Sequence, residues 1–295
     1  MNVNTSKVFE LLLGPSTDAF LRRMAINLAI VGFLLHLVCC VFFDIGVIVS
    51  NDFEPFFNSY LDALYTPFSI ILAYEVYELI RAIPDSFSNS IGKQFEVVTL
   101  LVVRDIFKNL ADLGGVDNVS IDTDIPFIAV EAMAFIVLFG TALHFRAQTS
   151  YSKVDSQEDA SIKAFVKQKK TLACFLVLIY VLVALYSLTT WSWGVLDGET
   201  SLSRTVFFSD FFTWLIVSDI IILLVSYKHI TDFPQLARNT GFILSTVVIR
   251  VGIGIPGYTG AVLFILSAAL ASCVLLLSLH DSIQGESEGL IRMPK

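Results

Sequence analysis

A chain of 295 residues that is 55% hydrophobic and only 16% charged, with a mean hydropathy of +0.75, is too apolar for a soluble domain of its length. Its formal charge of −8 goes with no nucleic-acid partner. The composition describes an all-α integral membrane protein whose first partner is the lipid bilayer.

Crossing a bilayer takes roughly 20 mostly apolar residues, and eight windows meet that need: about 24–43, 61–82, 93–111, 125–146, 170–191, 207–227, 236–255 and 258–280. Ahead of the first, Val8 to Leu13 forms a short apolar patch ended by Gly14-Pro15, read as a helix lying in the interface. Glu10, Gly14, Pro15 and Asp18 interrupt the stretch where a cleavable signal would need an apolar core, so the first span is expected to stay. That span carries Asn27 and His36, the histidine read as a hydrogen-bonded packing group. The loop Asn51 to Tyr60, with Phe53, Phe56 and Phe57, suits the headgroup level, and Trp191, Trp193 and Trp214 belong to the same aromatic belt.

Span two holds Tyr74, Glu75, Tyr77 and Glu78 before Arg81. Glu75, Glu78 and Arg81 follow one another at three-residue spacing on a single helical face, so Glu78 is expected to pair with Arg81. The deeper Glu75 then faces the protein interior or a wet path. Span three offers Arg104 beside Asp105, with Glu96 two turns below, and a Glu75–Arg104 contact would satisfy both groups. Span four contributes Glu131 in its outer half and ends at His144-Phe145-Arg146.

The second half repeats this pattern. Sliding Pro67–Ile80 onto Phe211–Leu224 sets Glu75 on Asp219, and Arg104 then falls within two residues of Arg250. A charge at the bilayer centre costs about 2.5–3.5 kcal/mol on insertion scales unless it finds a partner. An acid in one helix and an arginine in the next, twice over, reads as a tandem repeat. Four spans per unit is an even number, so the two repeats point the same way about an axis along the membrane normal. The expected organisation is a first four-helix repeat over 1–147 with its interfacial segment, a cytoplasmic linker over 148–170, a second repeat over 171–282 and a cytoplasmic tail over 283–295. Span seven closes with Arg250-Val-Gly-Ile-Gly-Ile-Pro-Gly257, which cannot continue as a regular helix. It is either a broken helix lining a wet cavity or the tight turn into span eight.

Orientation follows from the nineteen Lys and Arg residues. Fifteen fall at one side, among them Arg22, Arg23, Arg81, Lys93, Arg146, Lys167, Lys169, Lys170, Lys228 and Arg238; only Lys108 and Arg204 fall opposite, with Arg104 and Arg250 inside the membrane. Eight spans with both termini cytoplasmic fit this count. The outer loops are acidic, carrying Asp44, Asp52, Glu54, Asp62, Asp112, Asp117, Asp122, Asp124, Asp197, Glu199 and Asp210, which either concentrates cations or reflects the exclusion of Lys and Arg from that side. A single outer sequon, Asn118-Val-Ser120, and no organelle signal favour a bacterial inner membrane.

No Cys-x-x-Cys, Walker loop or His-x-x-x-His pair is present, and Cys39, Cys40, Cys174 and Cys273 all fall within spans. His144 and His280 sit at matching inner ends of spans four and eight, too near the surface for a buried metal or haem site. No cofactor, metal or enzymatic activity is expected. The pattern Arg204-x-x-x-Phe208-Ser209-Asp210 resembles the first-helix signature of the lysosomal and bacterial potassium channels of the TMEM family, which implies a cation pore. It covers seven residues, opens a sixth span and has no copy in the first half, so no assignment rests on it. A four-helix unit with an acid in its second helix is also similar to a voltage-sensor domain, but spans four and eight lack the arginine series of such a domain.

Two readings follow. In the first the protein is a transporter, an ion or proton-coupled small-solute carrier or a cation channel, with Glu75, Arg104, Asp219 and Arg250 along its path and Glu131 in support; a cation or proton is then its partner. In the second the same charges are structural staples of a membrane scaffold or assembly subunit. Self-association is compatible with either.

Overall fold

The computed structural model describes residues 2–45, 60–114, 121–151, 160–196, 206–230, 232–255 and 257–291. Among these the only regular secondary structure is helical. In order, the helices are α1 (Asn2–Leu13), α2 (Pro15–Asp44), α3 (Tyr65–Arg81), α4 (Phe87–Gly114), α5 (Ile121–Tyr151), α6 (Ala160–Leu196), α7 (Val206–His229), α8 (Phe233–Ile253) and α9 (Tyr258–Ile291), with a 3-10 turn at Tyr60–Leu64 leading into α3. Among the described residues, six helical stretches are long and apolar enough to cross a membrane: Ser6–Asp44, Ile125–Gln148, Ala164–Thr190, Phe211–His229, Phe233–Ile253 and Tyr258–Leu279.

α3 and α4, expected as spans two and three, are not among the six. α3 has 17 residues, and α4 carries Lys93, Glu96, Arg104 and Asp105 along its length. Both are wrapped by other helices: Leu72, Val76, Leu79 and Ile80 of α3 and Phe95, Val97, Val98 and Leu101 of α4 are core residues. α2 and α6 instead expose apolar side chains such as Leu34, Leu35, Leu182 and Leu185, as a lipid-facing surface would. The Phe-rich loop, the Asn118 sequon, the side chains of Arg204, Phe208, Ser209 and Asp210, the His280 side chain and every acidic outer residue except Asp44 lie outside what is described. Trp193 and Trp214 are exposed.

Within each half, helices pack in chain order: α2 on α3, α3 on α4 and α4 on α5, then α6 on α7, α7 on α8 and α8 on α9. The halves meet where α4 lies against α8, α5 against α9 and α3 against α6. The 148–170 stretch is partly helical, since α6 begins at Ala160 and runs unbroken into the fifth expected span, and α9 continues past residue 282 to Ile291. His36 Nδ1 lies 2.7 Å from Thr66 Oγ1, tying α2 to α3 as a packing group should. α8 and α9 are joined by a reciprocal pair of bonds: Ser245 Oγ donates to the Ser267 carbonyl at 2.9 Å, and Ser267 Oγ donates to the Ser245 carbonyl at 2.7 Å. Small residues let the two backbones approach this closely.

The helix expected in the interface at the amino end is α1, and it is tied into the bundle. Gly14 is extended (φ −73°, ψ 164°), Pro15 opens α2, and a Cβ on Gly14 would stand 2.1 Å from the Glu10 carbonyl oxygen, so only glycine permits this corner. α1 folds back onto α6, where Lys170 Nζ sits 5.2 Å from the Phe9 ring centroid. A helix leaves its last carbonyls unsatisfied. Here Thr17 Oγ1 donates to Leu11 O at 2.7 Å, Tyr77 Oη to Leu12 O at 3.0 Å and Arg81 Nε to Leu13 O at 3.2 Å. Arg81 therefore does not pair with Glu78. The α1–α2 corner offers it two acceptors, and its Nη1 lies 3.0 Å from Asp18 Oδ2, while Glu78 turns to Lys93 at 3.4 Å.

Candidate functional site

Polar residues collect along the seam between α4 and α8. Near its middle Asp219 of α7 and Arg250 of α8 form an ion pair, Nη1 to Oδ2 at 2.7 Å, with side chains 8% and 3% exposed. Thr246, one turn before Arg250, donates Oγ1 to the same oxygen at 3.0 Å. The Nη1 contact is a charge contact without good hydrogen-bond alignment. Asp219 and Thr246 also line a small polar pocket with Ser90, Gln94 and Lys169, about 20 Å³ in volume, enough for one water. Gln94 is buried and its Oε1 receives no donor. Lys169 Nζ donates to the Asp85 carbonyl at 2.6 Å and lies over the rings of Phe87 and Phe165, 4.8 and 5.2 Å from their centroids. Desolvated ammonium groups gain from such ring faces.

A second polar cavity, about 310 Å³, opens farther along the seam. α4 and α5 supply Arg104, Asp105, Asn109 and Glu131, and the turn from α8 into α9 supplies Gly257 and Gly260. Arg104 is 9% exposed and its Nη2 lies 3.2 Å from Asp105 Oδ1; its Nε meets no acceptor. Asn109 Nδ2 donates to Glu131 Oε2 at 2.7 Å. Gly257 has φ +86°, a left-handed conformation that suits glycine. A Cβ on Gly260 would stand 2.2 Å from the Ile255 carbonyl oxygen, so α9 starts directly against the end of α8. Phe127 and Tyr258, rings edge to face at 5.0 Å, join α5 to α9 beside this cavity.

Both pockets are met in the same order along α4 (Gln94, then Leu101 and Arg104) and along α8 (Thr246, then Gly252 and Ile253). The two helices therefore run parallel. Gln94 and Leu101 are about 10 Å apart along a helix rising 1.5 Å per residue. Between the pockets Val98 and Ile249 are packed in the buried core, beside buried Thr99 and Arg250.

Of the five residues singled out by the sequence, the structure joins Asp219 to Arg250 and sets Arg104 and Glu131 in one cavity. It does not join Glu75 to Arg104. Arg104 is held by its neighbour Asp105, while Glu75, half-buried on α3, feels the charges of Glu78, Lys93 and Glu96. Its register on α3 places it beside the Glu78–Lys93–Glu96 cluster, in which Lys93 Nζ lies 2.8 Å from Glu96 Oε2. Sequence reasoning missed Gln94, Asn109, Lys169 and Thr246. Thr246 and Asn109 carried a usable signal, standing one turn from Arg250 and Asp105 on the same helical faces; Lys169 was hidden in a run of positive charge.

No family model, curated protein or solved structure matches the chain, so its function is argued from its own residues.

Proposed function

We propose that the protein is a membrane transporter, a carrier for an ion or a small solute coupled to protons or cations, with its path along the α4–α8 seam. The observation that carries this reading is the stacking of two pockets with polar lining residues along one interhelical seam, with closely packed buried side chains between them. Intramembrane charges are retained where they line a path or bind cargo. A continuous open seam would suit a channel; two pockets separated by packed side chains suit alternating access.

The architecture of this reading has eight spans, with α3 and α4 as the second and third, and two four-helix halves of the same orientation. The shared packing order of the halves and the parallel run of α4 and α8 support it. Both termini lie in the cytoplasm of a bacterial cell, which puts the Lys169 pocket on the inner side and the Arg104 cavity on the outer side. Glu75 and Asp219 exchange the coupling proton or cation, and Arg104 and Arg250 balance them.

The test is flux in liposomes holding the purified protein under imposed pH and cation gradients. Glu75→Gln and Asp219→Asn are each expected to abolish flux while the protein still folds and inserts, Glu75→Gln with little change in its unfolding midpoint and Asp219→Asn with a lower one. Wild-type flux in both variants overturns the assignment. A scaffold role is the second reading, favoured by the close neutralisation of Asp219 by Arg250 and Thr246; absence of flux, with loss of stability in both variants, would support it.

A further inference from the structure

Arg238, near the amino end of α8, is a half-buried cation with no counter-charge among the described residues. Its one hydrogen bond there runs from Nη1 to Ser278 Oγ of α9 at 3.5 Å, the outer limit for such a bond. Nε is buried and meets no acceptor, and no carboxylate offsets the loss of water around the guanidinium. Three other arginines of the bundle each have an acid: Asp18 for Arg81, Asp105 for Arg104 and Asp219 for Arg250. Arginine does not deprotonate in proteins, so a desolvated guanidinium calls for an anion.

Packing fixes the depth at which this charge is held. A Cβ on Gly241 would stand 2.6 Å from Val274 Cγ2, so α8 and α9 touch closely there, and Arg238 and Ser278 come about one turn farther toward the same end of the seam. Phe242, one turn from Arg238 on the same face of α8, is fully buried with its ring edge-on to Phe145 at 5.6 Å, which closes the bundle behind the guanidinium. The apolar stretch of α8 begins at Phe233, and that of α9 ends at Leu279. Arg238 thus stands about 7.5 Å along its helix from that end, and its Nη1 reaches a serine one residue short of it. This is the level of lipid headgroups. Phe233 on α8 and Leu276 and Leu277 beside Ser278 are exposed, an apolar surface that acyl chains cover.

A phosphodiester matches the forked donors of arginine and carries one negative charge. A lipid without a cation in its headgroup neutralises the site; a choline or ethanolamine headgroup brings a second positive charge to it. Basic groups set between membrane helices at this depth receive anionic headgroups.

We propose that Arg238, at the end of the α8–α9 seam, binds the phosphate of an anionic phospholipid, whose acyl chains lie along the exposed leucines of α9. This site is independent of the transport reading and holds whether or not the protein carries flux.

The test is native mass spectrometry of the purified full-length protein, delipidated in a neutral detergent and titrated with dioleoyl phosphatidylglycerol, dioleoyl phosphatidylcholine or inorganic phosphate. The first phosphatidylglycerol is expected to bind at least tenfold more tightly than the first phosphatidylcholine, and phosphate at equal concentration should not displace it. Arg238→Gln should weaken this binding by tenfold or more, and Arg238→Lys, which keeps the charge and loses the fork, should fall between Gln and wild type. Lys228→Gln, which removes an exposed charge from the last turn of α7, should change it less than twofold. In lipid-free detergent Arg238→Met should unfold at the wild-type temperature or above it, because the charge it removes has no partner there; adding phosphatidylglycerol should then raise the wild-type midpoint above that of the variant. Should Arg238→Gln fail to fold, Arg238→Lys carries the test. Equal affinity for the two lipids, displacement by phosphate, wild-type affinity in either Arg238 variant, or an equal loss in Lys228→Gln overturns the proposal. A sharp loss of stability in lipid-free Arg238→Met does so too, since it would reveal a partner within the chain.

Discussion

Asp219 and Arg250 face each other at 2.7 Å from adjacent helices, and Thr246 completes the contact from one turn below the arginine. Each charge is tolerable in an apolar bundle because of the other. Removing one partner of such a pair costs about 3–5 kcal/mol, whereas replacing both with apolar or neutral groups of similar size is far less harmful. Arg250→Met alone should lower the unfolding midpoint sharply, and Asp219→Asn combined with Arg250→Met should recover most of the loss. Thermal unfolding in detergent, followed by tryptophan fluorescence, measures both; an additive double variant would show that the two side chains do not act as a pair.

The serine pair between α8 and α9 makes a smaller prediction. Hydrogen bonds between helices in membranes average about 0.6 kcal/mol and reach about 1.7. Ser245→Ala and Ser267→Ala should each destabilise within that range, and the double variant should cost less than their sum, as a double-mutant cycle would show.

Glycines at two places should respond in opposite directions. At Gly260 an added Cβ meets backbone oxygen at 2.2 Å, and at Gly252 it meets the Phe264 ring at 2.9 Å, so alanine at either should cost about 1–3 kcal/mol. Gly140, in the interior of α5, has nothing within 4 Å of the same point. Gly140→Ala should stabilise by about 0.5–1 kcal/mol through helix propensity alone. Unfolding midpoints of the three variants decide the matter.

Arg81 closes the corner where α1, α2 and α3 meet. Arg81→Met removes both the Leu13 carbonyl bond and the Asp18 ion pair, a local loss of about 1–3 kcal/mol. Hydrogen exchange of the α1 amides should accelerate in this variant while that of α8 stays unchanged.

Much of this was legible in the sequence, for physical reasons. Apolar length marks the helices able to cross, and among the described residues six stretches meet that criterion. Asp219 and Arg250 could be flagged because a lone charge inside an apolar run is costly, and the partner of each stood in the next helix. Glu75 and Arg104 obeyed the same pattern yet found other neighbours, because Asp105 adjoins the arginine in sequence and Lys93 is within reach of Glu78. A matching sequence pattern does not ensure matching contacts. Arg81 likewise had an acceptor three residues away on its own helix and took two from a corner that only the fold creates. The Arg104 cavity was half-visible: the glycine-rich end of span seven pointed to it, but the opposing wall comes from α4 and α5, more than 100 residues earlier in the chain.

The docking of α1 sets an order on biogenesis. Phe9 rests beneath Lys170, so the first helix finishes its packing only after α6 has left the ribosome. Until then Leu11, Leu12 and Leu13 have only α2 and α3 to hold them, through Thr17, Tyr77 and Arg81. The α1 segment is thus among the last parts to settle, a clasp that shuts once the second half has arrived.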